Sequence, residues 1–455
     1  MNVKITPERL GNMAFKKEYG IKYAYLSGSM YRGISSKELV VKMGKAGLLG
    51  FFGTAGFTLD QIKEGIDYIQ GKLCNGESYG MNLICDLDQP AIELDTILLY
   101  LEHGIKQIEA SAFMQITLAL ALYRLQGLHK NGEGQVVCEH KIIAKISRPE
   151  VAEVFMSPAP ERIVTKLLEE KKITEKQAEL AKEVPMSYDI CVEADSGGHT
   201  DQGIPTVLLP AMQSLRKEIM DKHDYKQGLR IGLAGGIGTP EAAAAAFIMG
   251  ADFILTGSIN QCTVESGMSS SVKELLQAIN VQDTDYAPAG DMFEIGARVQ
   301  VLKKGVFFPA RANKLYMLYT HYASLEEIPD KIKTQLQEKY FKKSFDEIWE
   351  ETKDFFIRKG QAEIIEKAAR NPKQKMALVS RWYFGYSMRL AFSDNGGASH
   401  IDYQVHTGPA LGAFNQWVKG TELEDWKNRH VDEIGEKLMQ ETAVLLTQNF
   451  QHLQG

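Results

Sequence analysis

Between about residue 20 and residue 270, short apolar runs alternate with longer stretches whose apolar positions recur every three or four residues. A short run bounded by glycine or polar residues reads as a buried strand. The three-to-four spacing reads as one face of an amphipathic helix. On that basis the strands are Ile21–Leu26, Leu48–Phe52, Tyr79–Ile84, Ile105–Ala110, Lys141–Ile146, Tyr188–Ala194, Leu229–Ala234 and Asp252–Thr256. Helical patterns fall between them at Ser35–Ala46, Leu59–Gln70, Ile92–His103, Gln115–Leu128, Val207–Lys222 and Thr239–Met249. Gly47, Gly71, Gly104 and Gly250 sit just past predicted helix ends, where a left-handed residue is wanted. Thr239 can cap its helix, with Pro240 at the first helical position.

Several of these strands are almost wholly apolar, as a parallel strand buried on both faces should be. Eight strand–helix units in succession predict an α/β chain built on a (β/α)8 TIM barrel. A doubly wound open sheet gives the same alternation and is the competing architecture. The barrel is expected to occupy 1–290, with a helical insertion at about 152–186. Within it, the charged stretch Glu161–Val184 reads as a helical hairpin. Residues 291–455 exceed what a barrel helix needs and are expected to form a C-terminal α-helical domain on the substrate side. Its helical patterns lie at Ile328–Tyr340, Ser344–Lys359, Gln361–Arg370 and Val431–Asn449.

Composition narrows the function classes. Of 455 residues, 44% are hydrophobic and 24% charged, which excludes a disordered chain, a collagen and a coiled coil. No apolar stretch is long enough to span a membrane, and the first residues lack the apolar core of a secretory signal. A net charge of −6 does not suggest a nucleic-acid-binding face, while leaving a local basic patch open. Five scattered cysteines with no CxxC pair predict reduced thiols and a cytoplasmic protein. No HxH, HExxH or dense acidic cluster suggests a metal site, and no GxSxG elbow suggests a serine hydrolase.

The active site of a (β/α)8 barrel lies at the C-terminal ends of its strands. Those ends carry small and polar residues: Ser27-Gly28-Ser29-Met30, Asn82, Lys145-Ile146-Ser147, Ala234-Gly235-Gly236 and Thr256-Gly257-Ser258. Glycine after both the seventh and eighth strands predicts a phosphate site, because backbone N–H groups can approach an anion where no Cβ intervenes. The classical alternatives fail. Glu241 stands where a GxGxxG fingerprint needs its third glycine, and Ile34 stands where a P-loop needs lysine. After the sixth strand comes Asp195-Ser196-Gly197-Gly198-His199, whose imidazole can exchange a proton near neutral pH. Lys145 is a charge inside an apolar strand. It either meets an anion, such as a reduced flavin ring or a substrate oxyanion, or snorkels to solvent.

Taken together, Gly80-Met81-Asn82-Leu83, the Gly-Gly-His199 loop, Ala234-Gly235-Gly236-Ile237, Met249-Gly250-Ala251-Asp252 and Thr256-Gly257-Ser258 resemble the FMN-binding half of the nitronate monooxygenase superfamily. Glu193 through Asp201 resembles, more narrowly, the PfaD-type trans-acting enoyl reductases of polyketide and polyunsaturated fatty-acid synthases. Phe155 through Pro160, Arg381-Trp382-Tyr383, Asp402-Tyr403-Gln404 and Gly408 through Asn415 are similar as well. The tail departs from the family at His406-Thr407, where a Trp-Cys pair is expected.

The resemblance implies FMN, NADPH or NADH as electron donor, and an enoyl thioester on an acyl carrier protein of a polyketide synthase. A homodimer is compatible with it. It implies that Asn82 and Gly197 meet the flavin ring region, that Gly235, Gly236, Gly257 and Ser258 hold its phosphate, and that His199 is catalytic. Gly28, Met30 and Lys145 are further candidate cofactor contacts. Arg298, Arg311, Lys314 and Tyr316 are candidates to meet the phosphopantetheine arm or the acidic carrier. A nitronate-oxidising flavoenzyme and a non-catalytic docking protein of a synthase are the rival readings. The family's frequent acyltransferase partner is not visible, so a standalone enzyme and an excised domain both stay open.

Overall fold

The computed structural model describes residues 4–86, 89–393 and 400–453. All eight predicted barrel strands form, as Tyr25–Ser27, Leu49–Phe52, Gly80–Ile84, Gln107–Ser111, Lys141–Ile146, Asp189–Glu193, Arg230–Ala234 and Ile254–Thr256. Each pairs in parallel with its chain neighbours, and the first pairs with the eighth to close the barrel. Leu26 thus lies opposite Leu49 on one side and Leu255 on the other. Closure leaves no sheet edge and rules out the open doubly wound sheet.

The chain divides into two compact units. The first comprises residues up to Asp195, Asp201–Gly267 and Trp417 onward; the second comprises Ser196–Thr200 and Met268–Gln416. The boundary expected at 290/291 therefore falls inside the second unit. The terminal helix Val431–Leu453, expected with the helical domain, belongs to the barrel's unit. There Gly435 lies so close to the Tyr25 ring that a Cβ would sit 2.5 Å from it.

Within the first unit the barrel core stacks Phe15 on Phe253 with ring centres 4.3 Å apart. At the N-terminal end of the barrel, Arg230 and Asp189 are both buried and form a two-pronged ion pair at 2.5 and 2.7 Å. Glu18 adds a second carboxylate to Arg230 at 2.7 Å, and the Tyr19 hydroxyl donates to Asp189 at 2.8 Å.

The helix signals mostly act as expected. Thr239 Oγ1 accepts from Ala242 N at 3.4 Å, with Pro240 in the first turn. Gly47, Gly104 and Gly250 take left-handed backbone. Gly71 does not; the helix runs on to Lys72 and carries Gly71 inside its last turn. The insertion is a helical hairpin, Glu161–Glu169 and Glu175–Leu180, the second helix opened by a Thr174–Gln177 capping box. A small antiparallel hairpin, Leu128–Lys130 with Val136–Cys138, was not anticipated.

The second unit corrects the all-helical expectation. It contains an antiparallel sheet of three strands, Thr284–Pro288, Arg298–Leu302 and Gly198–His199. Arg298-Val299-Gln300-Val301 does alternate with period two, but so short a run is lost among long helical patterns. Helices Phe308–His321, Phe345–Arg358 and Pro372–Phe392 pack around Phe293, Phe308, Met376 and Phe384, and Ala362–Arg370 packs through a second cluster of Ile365, Ala368 and Leu378. The helix expected over Ile328–Tyr340 is Asp330–Gln335 followed by a wider π-turn, Leu336–Phe341.

Among the described residues no helix is long and apolar enough to cross a membrane, and no group of three or more His, Cys, Asp or Glu could hold a metal ion. None of the five cysteines is in a disulfide.

Candidate active site

At the C-terminal ends of the barrel strands lies a layer of polar side chains, Asn82, Glu109, Lys145 and Glu193. Lys145 does not snorkel. Its side chain is only 14% exposed, and Nζ meets Glu193 Oε1 at 2.9 Å. Burial alone would lower its pKa, but the Glu193 and Glu109 carboxylates outweigh burial and raise it. Lys145 is therefore a fixed cation with protein anions as its partners.

Glu109 was not anticipated. It is completely buried, and its Oε2 accepts from Ser29 N at 3.0 Å and from Ser29 Oγ. Its Oε1 has no hydrogen-bond partner. Burial pushes its pKa up, against the opposing pull of Lys145 and Ser29. No comparable signal marks it in the sequence: Glu109 follows Lys106 and Gln107 in a mixed strand, whereas Lys145 is the lone charge in Ile142–Ile146.

Asn82 is buried beside Glu109. Its Nδ2 donates to Glu109 O at 3.2 Å and to Ser111 Oγ at 3.0 Å. Gly28 is pressed against Leu255, and its N–H donates to Thr256 O at 3.0 Å. Met30 is half-buried, and its carbonyl leaves no room for a side chain at Gly53.

The two glycine loops divide by role. Gly235 is left-handed, and a Cβ there would lie 2.6 Å from Ala194 O, so the turn itself demands glycine. Gly236 is left-handed too, but its Cβ direction meets no atom within 4 Å. Gly257, which precedes Ser258 and a short helical turn, also faces open space, with an ordinary negative φ of −128°. Two adjacent loops thus leave a place that side chains would fill, as a phosphate cradle should. The residues present fit FMN on this test.

Gly197 and His199 belong to the second unit. A Cβ on Gly197 would lie 2.7 Å from Thr407 Cα, so protein backbone explains this glycine directly. Gly198 is left-handed at φ +89° and pairs with Gln300, which puts His199 opposite Val299. His199 is 47% exposed, and its Nε2 meets Asp291 Oδ1 at 2.9 Å. Asp291 is 61% exposed at its side chain, and the bond and charge of His199 bring its pKa below the usual carboxylate value.

This arrangement has well-matched relatives. The enoyl reductase domain of MlnA, from the macrolactin biosynthesis cluster of Bacillus amyloliquefaciens, is 48% identical, with a TM-score of 0.94 over 98% of this chain and 99% of that one. This chain belongs to the PfaD-type enoyl reductase family. The polyketide biosynthesis protein PksE of Bacillus subtilis is 58% identical over 99% of the chain. The polyketide biosynthesis protein ThaF of Burkholderia thailandensis is 51% identical over 98%, and a polyunsaturated fatty acid synthase protein of a Thraustochytrium species is 44% identical over 91%. The chain spans 58% of PksE, 38% of ThaF and 28% of the Thraustochytrium protein. FabK of Thermotoga maritima, 17% identical with a TM-score of 0.56, shares the fold. Residues 322–403 match the model of the inserted helical domain of acyl-carrier-protein S-malonyltransferase.

The side chains singled out for carrier contact have partners within the second unit. Arg311 pairs with buried Asp402, and its guanidinium stacks over Tyr340 at 4.9 Å. Arg298 donates to Asn313 at 3.3 Å, and Tyr316 packs edge-on against Phe293. Lys314 is half-buried on the same helix. These contacts make Arg311 and Tyr316 part of the unit's packing.

Proposed function

We propose that the chain is an FMN-dependent enoyl reductase that acts in trans, reducing the α,β-double bond of enoyl thioesters on acyl carrier protein during polyketide or polyunsaturated fatty-acid synthesis. The supporting observation is 48% identity to the MlnA enoyl reductase domain, matched over essentially the full length of both chains. The open Cβ directions of Gly236 and Gly257 support the cofactor assignment. Bound FMN supplies the hydride that the β-carbon of the alkene receives, drawn from NADPH or NADH.

Each residue then has a defined task. The backbone N–H groups of the two glycine loops, with Ser258, hold the phosphate. Lys145, kept cationic by Glu193 and Glu109, faces negative charge that develops on the ring or the thioester oxygen. Asn82 and Gly28 shape the ring end, with Met30 beside them. His199 delivers the proton that completes the addition at the α-carbon, or donates to the thioester oxygen.

Anaerobic stopped-flow measurement separates the two halves of this cycle. The nicotinamide should bleach the yellow protein, and the enoyl thioester should restore the colour. His199→Ala should leave bleaching intact and slow the return by about 100-fold or more. A return at the wild-type rate would remove His199 from the proton-donor role. Faster reoxidation by oxygen and nitroalkane than by thioester would favour a nitronate-oxidising enzyme instead.

A further inference from the structure

The small sheet of the second unit aligns two histidines. His199 lies opposite Val299 and His406 opposite Val301, both on the edge of the Arg298–Leu302 strand away from Thr284–Pro288. Two residues apart along one strand edge, they share one face of the sheet. Their rings stand at 87° with centres 6.4 Å apart. Asp291 Oδ1 bonds His199 Nε2 at 2.9 Å. Buried Gln404 donates its amide N–H to His406 Nε2 at 2.8 Å, which leaves that nitrogen without a proton.

We propose that Asp291 is the positioning residue for His199, fixing its ring and favouring its protonated form, and that the cluster carries one proton, on His199, while His406 stays neutral beside it. The proposal rests on the reading of His199 as proton donor. A carboxylate on one ring nitrogen orients an imidazole and stabilises its cation. A second cation on the neighbouring ring would be repelled by the first. Consistently, burial first and His199 second bring the His406 pKa down to about 4, against an upward pull from Asp291. The neighbouring charged and titratable groups are engaged elsewhere. Arg298 donates to Asn313, Glu294 pairs with Arg381 at 3.2 Å, and the Tyr286 hydroxyl accepts from Gln300 at 3.2 Å.

NMR titration of the full chain labelled with 15N-histidine tests this, with His199 and His406 assigned from His199→Gln and His406→Gln. His199 should take up its proton first, and His406 should remain neutral down to about pH 5. Asp291→Asn should lower the His199 midpoint by about half a unit, the scale of a partly exposed ion pair, and Asp291→Glu should restore part of the shift. In the oxidative half-reaction, where the thioester reoxidises the flavin, the Asp291→Asn deficit should grow as pH rises, because the weakened acid loses its proton sooner. A merely structural Asp291 would lower the rate evenly at every pH. An unmoved His199 midpoint in Asp291→Asn, or protonation of His406 before His199, would overturn the proposal. The midpoints can be read without turnover, so a wild-type protein that reduces no thioester counts against the functional reading alone.

Discussion

His406 shows how one side chain can write a pH dependence into the fold. In the unfolded chain its imidazole takes a proton near 6.5, and in the folded protein only near 4. Between those values the unfolded state binds more protons, so stability is present at neutral pH and is lost as pH falls from about 6.5 to 4. The full loss is about 3 kcal/mol. His406→Gln should flatten this acid limb in denaturant titrations run at pH 7 and pH 4.5. An equal loss in the variant would assign the acid sensitivity to other groups. Asp189 makes a second residue-scale case. Asp189→Asn leaves the Arg230 guanidinium buried with, among the described residues, only Glu18 as its charged partner, which should cost about 3–5 kcal/mol in unfolding free energy without touching the glycine loops.

The glycines show most clearly which structural demands can be read before the fold is known. Gly235, Gly236 and Gly257 stand out in sequence because two loops in the right order share the residue. Which of them a turn requires, and which an anion requires, depends on what a Cβ would meet. Gly197 reads as a ligand-facing glycine until Thr407 turns out to lie against it, a contact spanning some two hundred positions of chain that no local pattern carries. The eight barrel strands are legible because short runs, most of them apolar, alternate regularly with helical patterns. The strand Arg298–Leu302 was not, because its alternation is short and its partners, Gly198–His199 and Thr284–Pro288, are as brief. Asp291, the bonding partner of His199, was hidden for the same reason: only the folded second unit brings residues 92 positions apart together. The different demands on the glycines give separable outcomes. Gly257→Leu should fold, with a melting temperature close to that of the wild-type protein freed of FMN, yet purify colourless, because its side chain would occupy open space. Gly197→Ala should lower the melting temperature first, because the added methyl collides with Thr407. FMN retained at full occupancy in Gly257→Leu would move the phosphate elsewhere.

At the scale of the whole molecule, the chain is a closed barrel unit and a second unit of helices around a small sheet, each with its own core. The first unit holds the glycine loops and the buried Lys145–Glu193–Glu109 group, and the second holds His199 with Asp291 and His406. The relatives it matches belong to polyketide and polyunsaturated fatty-acid synthesis, and the full-length match is to an enoyl reductase domain. The central claim is a net addition of hydrogen across a carbon–carbon double bond. Its most direct test is mass spectrometry of an enoyl-acyl-carrier thioester incubated with the FMN-loaded protein and either NADPH or NADH. The account predicts a gain of the mass of two hydrogen atoms with one of the nicotinamides, absent when the protein is omitted. A thioester of unchanged mass with both donors, from protein that is yellow and bleached by nicotinamide, would contradict it.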